Sequence, residues 1–195
     1  GPFQLREKDG TLKVFRLDGK IDYIEDANQN RNTYNYSGDL LTSISKSNGD
    51  VLHFAYNNQN RIQEAIDPVG RVTTFTYDAT GDLLTSINYK GSTQNTIFTN
   101  TFTYNNNSNL ATKYAVSEIN YGNGTHYYFE YDTFGRRISS YGDSFSNRID
   151  LFYDAPGSIK TRNSLGNESI IALNSRGLVS KFTDPSGLVS SFGWS

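Results

Sequence analysis

Apolar side chains recur along this chain at two spacings, one nested inside the other. The long spacing is close to twenty residues. Leu17, Tyr36, Tyr56, Tyr77, Tyr104, Tyr131, Tyr153, Leu173 and Trp194 follow one another at steps of 19, 20, 21, 27, 27, 22, 20 and 21. The short spacing is two. Phe15, Tyr34, Phe54, Phe75, Phe102, Phe129, Leu151, Ile171 and Phe192 each stand two residues before a member of the long series. Side chains alternate across a strand, so each such pair shares one face of an extended segment. A period of this length predicts a stack of small units rather than one core around one site.

Residues 71–87 show one unit in full. Phe75 and Tyr77 lie on one side of a strand, with Thr74 and Thr76 on the other. The stretch from Asp78 to Gly81 is a turn, because Asp bonds back to nearby amides and Gly accepts positive φ. Leu83, Thr85 and Ile87 then form one face of a return strand, and the unit is a β-hairpin. Leu40, Thr42 and Ile44 fall in the same columns, as do Ile62, Glu64 and Ile66, then Leu110, Thr112 and Tyr114, then Leu178, Ser180 and Phe182. Glu64 is a polar intruder, read as an edge position or as the partner of a nearby Arg. A second kind of turn joins the units, as at Asp67-Pro68-Val69-Gly70 and Asp184-Pro185-Ser186-Gly187, where Pro sets φ and cannot donate to a ladder. The expected fold is all-β, an antiparallel meander of hairpins, with no helix of useful length. The two long steps place extra residues near 91–99 and 113–121, as surface loops or as longer strands.

The motif Tyr77-Asp78-Ala79-Thr80-Gly81-Asp82-Leu83 resembles the Tyr-Asp-x-x-Gly-Arg-Leu repeat of the RHS/YD-repeat family. Tyr131-Asp132-Thr133-Phe134-Gly135-Arg136-Arg137 and Tyr153-Asp154-Ala155-Pro156-Gly157 resemble it too, and the Asp-Pro-x-Gly linkers match the family's spacers. Tyr56 is followed by Asn57, and Leu173 replaces the Tyr. The family includes bacterial RHS and wall-associated proteins, toxin-complex shells and teneurins. The resemblance implies a long curved sheet, a segment of a hollow shell or barrel, covering residues 3–195 as a single array of about eight to nine units. It implies a non-enzymatic structural module of a large secreted or cell-surface protein of bacterial type. The alternative is adhesion to a glycan or protein partner through a sheet face or the longer connections. The structural anchors are then Tyr36, Tyr56, Tyr77, Tyr104, Tyr131, Tyr153, Leu173 and Trp194. The implied partners are the rest of the parent chain and an enclosed cargo or an external ligand.

Composition changes this picture little. Apolar residues make up 35% of the chain and mean hydropathy is -0.60, a balance that leans toward disorder, but aromatics make up 14%. Each buries a large area, roughly 150–250 Å². The net charge is -2 with neither sign clustered, which argues against nucleic-acid partners. No apolar run suggests membrane insertion. With no Cys there is no disulfide or thiolate site. Gly1-Pro2 reads as a cloning scar. His53 and His126 are expected as solvent-facing or lightly packed strand residues, so no catalytic, metal or cofactor site is expected. Asp26-Ala27-Asn28-Gln29-Asn30 opens like a calcium loop, but Arg31 and Ser37 stand where an EF-hand needs Gly and Glu, so it reads as a turn. Asn35, Asn106, Asn123 and Asn167 lie in glycosylation sequons. Asp184-Pro185-Ser186-Gly187-Leu188 resembles the motif near the self-cleavage site of toxin-type RHS proteins, and reads here as one more linker. Tyr127, Phe129 and Tyr131 share a strand face with Tyr128 opposite, a set able to stack on sugars or simply to pack. An excised strip of sheet is expected to self-associate edge to edge.

Overall fold

The computed structural model describes residues 3–90 and 97–194. Gly1-Pro2 and most of the 91–99 connection lie outside them. The chain divides into two compact units, residues 1–99 and 100–195. The first contains β1 (Gln4–Arg6), β2 (Leu12–Phe15), β3 (Ile21–Glu25), β4 (Arg31–Ser37), β5 (Leu40–Lys46), β6 (Val51–Tyr56), β7 (Ile62–Ile66), β8 (Val72–Tyr77) and β9 (Leu84–Lys90). Each pairs antiparallel with the next in sequence order. The division falls inside β10 (Ile97–Tyr104). The second unit continues through β11 (Val116–Asn120), β12 (His126–Tyr131), β13 (Arg137–Gly142), β14 (Ile149–Ala155), β15 (Ser158–Asn163), β16 (Glu168–Leu173), β17 (Val179–Thr183) and β18 (Val189–Ser191), again paired in order. The fold is the expected all-β antiparallel meander. Its one helical piece among the described residues is a short 3-10 turn, Asp143–Phe145.

A β-bulge breaks the register inside most of the apolar pairs, just before the anchor, and this corrects the columns. Phe75 faces Ile87, but Tyr77 faces Leu84, so the return strand contributes residues three apart rather than two. The same step appears where Tyr34 and Tyr36 face Ile44 and Leu41, and where Phe54 and Tyr56 face Ala65 and Ile62. It recurs where Phe102 and Tyr104 face Ile119 and Val116, and where Ile171 and Leu173 face Phe182 and Val179. An extra residue on one strand leaves it opposite the same partner while shifting everything beyond it by one position. Glu64 is therefore not in the aromatic column. It lies mid-strand between Ala55 and Thr74, on the face opposite Phe54. β7 is no edge, and no ion pair to Glu64 occurs among the described residues.

Two further expectations are corrected. Leu17 does not begin the anchor series; it lies at a turn and is 87% exposed, while Phe15 faces Ile21 across the equivalent bulge. Leu110, Thr112 and Tyr114 do not form a return strand. Residues 105–115 are a loop and the return strand is β11, so the surplus of the 104→131 step sits before 116, not across 113–121.

Among the described residues no second layer covers the strands of either unit. Val14, at 3% exposure, is the one fully buried apolar residue among them. The aromatic columns are half-buried, packed side to side rather than against a facing element.

Candidate functional site

With no deep core, stability must pass between neighbouring hairpins, and the anchors provide the link. Tyr56 Oη donates to the Leu41 carbonyl at 2.7 Å, and Tyr77 Oη to the Ile62 carbonyl at 2.9 Å. In the second unit Tyr131 donates to Val116 and Tyr153 to Arg137, both at 2.8 Å. Trp194 does the same with its indole Nε1, reaching the Val179 carbonyl at 2.6 Å. Every acceptor is the residue facing the preceding anchor. Leu41 faces Tyr36, Ile62 faces Tyr56, Val116 faces Tyr104, Arg137 faces Tyr131 and Val179 faces Leu173. Each ring thus lies on its neighbour and its polar tip satisfies a carbonyl beside the bulge, where the ladder is disrupted. Burial pushes the Tyr131 hydroxyl above the usual phenol range. Leu173 has the ring's bulk in part but no side-chain donor.

After four of the anchors, Tyr56, Tyr77, Tyr131 and Leu173, the next residue closes the turn through its side chain. Asp132 Oδ1 accepts from the amides of Phe134 and Arg136, and Asn57 Oδ1 from those of Gln59 and Arg61. The linkers repeat this construction. Asp67 takes Val69 and Arg71, Asp184 takes Ser186 and Leu188, and Asp26 takes Asn28 and Asn30. Most turns inside and between hairpins therefore share one construction, and the tight turns at Gly38-Asp39 and Pro156-Gly157 depart from it. At Asp26 both oxygens are engaged by the turn, since Asn30 Nδ2 reaches Oδ2 at 2.8 Å. Asp carries one advantage over Asn: a second oxygen that pairs with Arg four residues on, at 2.5 Å for Asp67–Arg71 and 2.7 Å for Asp132–Arg136.

A further polar cluster lies on the second unit. Asp150, half-shielded on β14, accepts from Arg148 Nε at 2.8 Å, Ser139 Oγ at 3.0 Å and Arg162 Nη2 at 3.4 Å. Burial pushes its carboxyl up, but the bonds from Arg148 and Ser139 outweigh this and hold it below the usual carboxylate range. All three partners lie on neighbouring strands or beside its own, so Asp150 locks β13, β14 and β15 together. Beside it, Tyr141 Oη donates to Glu130 Oε1 at 3.0 Å, and the Tyr141 ring lies between Tyr128 and Phe145 with centroids 5.4 and 4.8 Å away. His126 completes this row, 6.0 Å from Tyr128, with Nδ1 2.5 Å from Glu118 Oε1. Tyr127 and Phe129 meet on the other face. His53 is exposed on β6, in the other unit. The faces of Tyr128 and Tyr141 are taken up by one another and by their neighbours, so this row packs on itself.

The 105–115 loop is built, not loose. Thr112, 4% exposed, donates to Asn107 Oδ1 at 3.0 Å, and Asn109 Nδ2 reaches across to the Thr133 carbonyl at 2.9 Å. The loop sits so close to the next hairpin turn that a Cβ at Gly135 would collide with the Ala111 carbonyl. An open cleft of about 380 Å³ lies beside it, lined by Asn105, Asn107, Thr112, Glu130, Tyr131 and Thr133 among others.

Residues 61–94 match the family model for the RHS repeat. This segment is an RHS repeat. It spans β7, β8 and β9, the best-formed bulged hairpin and the linker before it. Backbone comparison finds a similar fold in toxin-complex proteins. The chain matches the TcdB2–TccC3–Cdc42 crystal structure at a TM-score of 0.57 and 11% identity, over 91% of this chain and 12% of that one. A pore-state Tc holotoxin of Photorhabdus luminescens gives a TM-score of 0.58 at the same identity and coverage, and TcdB2–TccC3 gives 0.57. At this identity the likeness is one of fold. The chain spans about an eighth of the solved chains it matches. A sequence comparison with curated proteins finds no match.

Proposed function

We propose that this chain is an architectural segment, not an enzyme, of a larger secreted or surface protein of bacterial type. Residues 3–195 act as one array of hairpin repeats. The anchors Tyr36, Tyr56, Tyr77, Tyr104, Tyr131, Tyr153, Leu173 and Trp194 join each hairpin to the one before. The observation that carries this reading is the repeated bond from an anchor to the carbonyl facing the previous anchor, a device that links units and serves no reaction. The half-buried aromatic face supports enclosure, because such a face suits the inner wall of a compartment more than open water. Likeness to toxin-complex proteins over a small part of their length agrees with a segment of a longer wall. The charged groups around Asp150 saturate one another, which leaves no acid, base and nucleophile converging on one point among the described residues.

The test uses the full-length parent. Limited proteolysis with electron microscopy should find a compartment whose interior segment resists cleavage, and deletion of residues 71–90 should open it. A parent that forms an extended stalk with every segment cleavable overturns the enclosure reading.

A further inference from the structure

We propose that the outer flank of β18 is a docking edge for one extended strand of a separate chain built from the same repeat, a strand with apolar side chains three residues apart. This rests on the reading that anchors join hairpins, and not on enclosure. Among the described residues β18 pairs with β17 alone, with Lys181 facing Ser191 and Thr183 facing Val189. Phe192 and Trp194 continue its line, in the two positions that Phe75 and Tyr77 hold on β8. Trp194 makes the usual anchor bond to the hairpin before it. The other side differs. Phe75 and Tyr77 meet Ile87 and Leu84 of a return strand, and Ile171 and Leu173 meet Phe182 and Val179. Among the described residues no strand takes that place beside Phe192 and Trp194, which are 47% and 50% exposed.

The repeat specifies the occupant. The bulge falls on the return strand, so that strand meets an anchor pair with residues at i and i+3. Leu41 and Ile44 do this, as do Ile62 and Ala65, then Leu84 and Ile87. A strand that alternates without a bulge carries its apolar side chains two apart and misses one of the two rings. The main chain is poised as well. The Phe192 amide donates to the Ser180 carbonyl at 2.9 Å, so by alternation the amides of Ser191 and Gly193 point away from β17. Their counterparts on β8, Thr74 and Thr76, face Asn88 and Ser86 of the return strand. The far end is fixed in advance, because the Trp194 indole holds Val179 and the Trp194 carbonyl accepts from Arg176 Nη2 at 3.0 Å. A preformed edge spares a docking strand much of the ordering cost. Residues 188–194 carry no charge, so the Lys that commonly guards an open edge is missing. A strand laid here gains main-chain bonds and covers two rings, which is recognition by strand addition.

Trp194 is the one Trp of the chain, so its fluorescence reads this edge directly. The test titrates the intact 195-residue protein, at high dilution, with a synthetic peptide of residues 38–46, which carries Leu41 and Ile44 at the required spacing and no Trp. Trp194 emission should move to the blue and saturate, with a dissociation constant of about 1 mM or tighter. A second peptide with Leu41→Thr and Thr42→Leu keeps the composition and puts the apolar residues two apart. It should bind about tenfold more weakly, the loss of one well-covered side chain. Gly193→Pro removes an outward amide and leaves the β17 bonds in place, and it should weaken the first peptide about tenfold. Amide shifts of isotope-labelled protein should map to residues 189–194. No saturable change in Trp194 emission, equal affinity for the two peptides, or shifts that map to another strand overturns the proposal. The comparison of peptides uses the unaltered protein, so it stays decisive if the Gly193→Pro variant fails to fold. The anchor reading is tested apart from this edge, by the unfolding of Tyr77→Phe.

Discussion

Tyrosine at the anchor does two jobs that no other residue combines in the same shape. Its ring packs on the preceding hairpin and its hydroxyl reaches a carbonyl that the bulge has left short of a ladder partner. Tyr77→Phe keeps the ring and strands the Ile62 carbonyl, so it should cost about 0.5–1.5 kcal/mol in denaturant unfolding. Leu173→Tyr runs the experiment in reverse and should stabilise by a similar amount, about 0.5–1.5 kcal/mol, if the added hydroxyl finds the equivalent carbonyl. The turn carboxylates add a pH dependence. Bonds from the Leu83 amide to Asp78, from Asn30 to Asp26 and from Ser186 to Asp184 hold these carboxyls below their ordinary value. A depressed folded value means stability is complete above about pH 4 and is lost as pH falls through the lowered values. Melting temperature should therefore drop on acidification below that point. Asp78→Asn keeps the accepting oxygen, as the native Asn57 does, and should blunt the drop.

At the scale of elements, the bulged hairpin is the unit and Asp150 is its strongest single lock. Asp150→Ala removes the common partner of Arg148, Arg162 and Ser139 and should cost about 1–3 kcal/mol. Hydrogen exchange should quicken across β13 to β15 and stay unchanged in β4 to β8. Much of this level was legible beforehand. The apolar pairs marked β4, β6, β8, β10, β12, β14 and β16, because a period of two inside a period of twenty has few other solutions. The bulge was not legible. Leu83-Leu84 offers two adjacent apolar residues for one column, and only strand pairing shows that Leu84 is the one opposite Tyr77. Glu64 was misplaced for the same reason. The Leu110–Tyr114 stretch alternates as a strand does, yet Asn107 and Asn109 capture its backbone and side chains in a loop. The cleft was hidden because it depends on Asn109 meeting Thr133, a contact across 24 residues with no local signature.

Phe192, Trp194, Leu188 and Val189 are all exposed around β18. Size-exclusion chromatography with light scattering should show mass rising with concentration, and Val189→Lys should suppress the rise. The anchor bond has a last implication. Its receiving atom belongs to the main chain, and it is offered by a cationic residue, Arg137, as well as by the aliphatic Leu41, Ile62, Val116 and Val179. Any module can thus accept any successor, so copies can be duplicated, shuffled or swapped without the seam between them having to be redesigned.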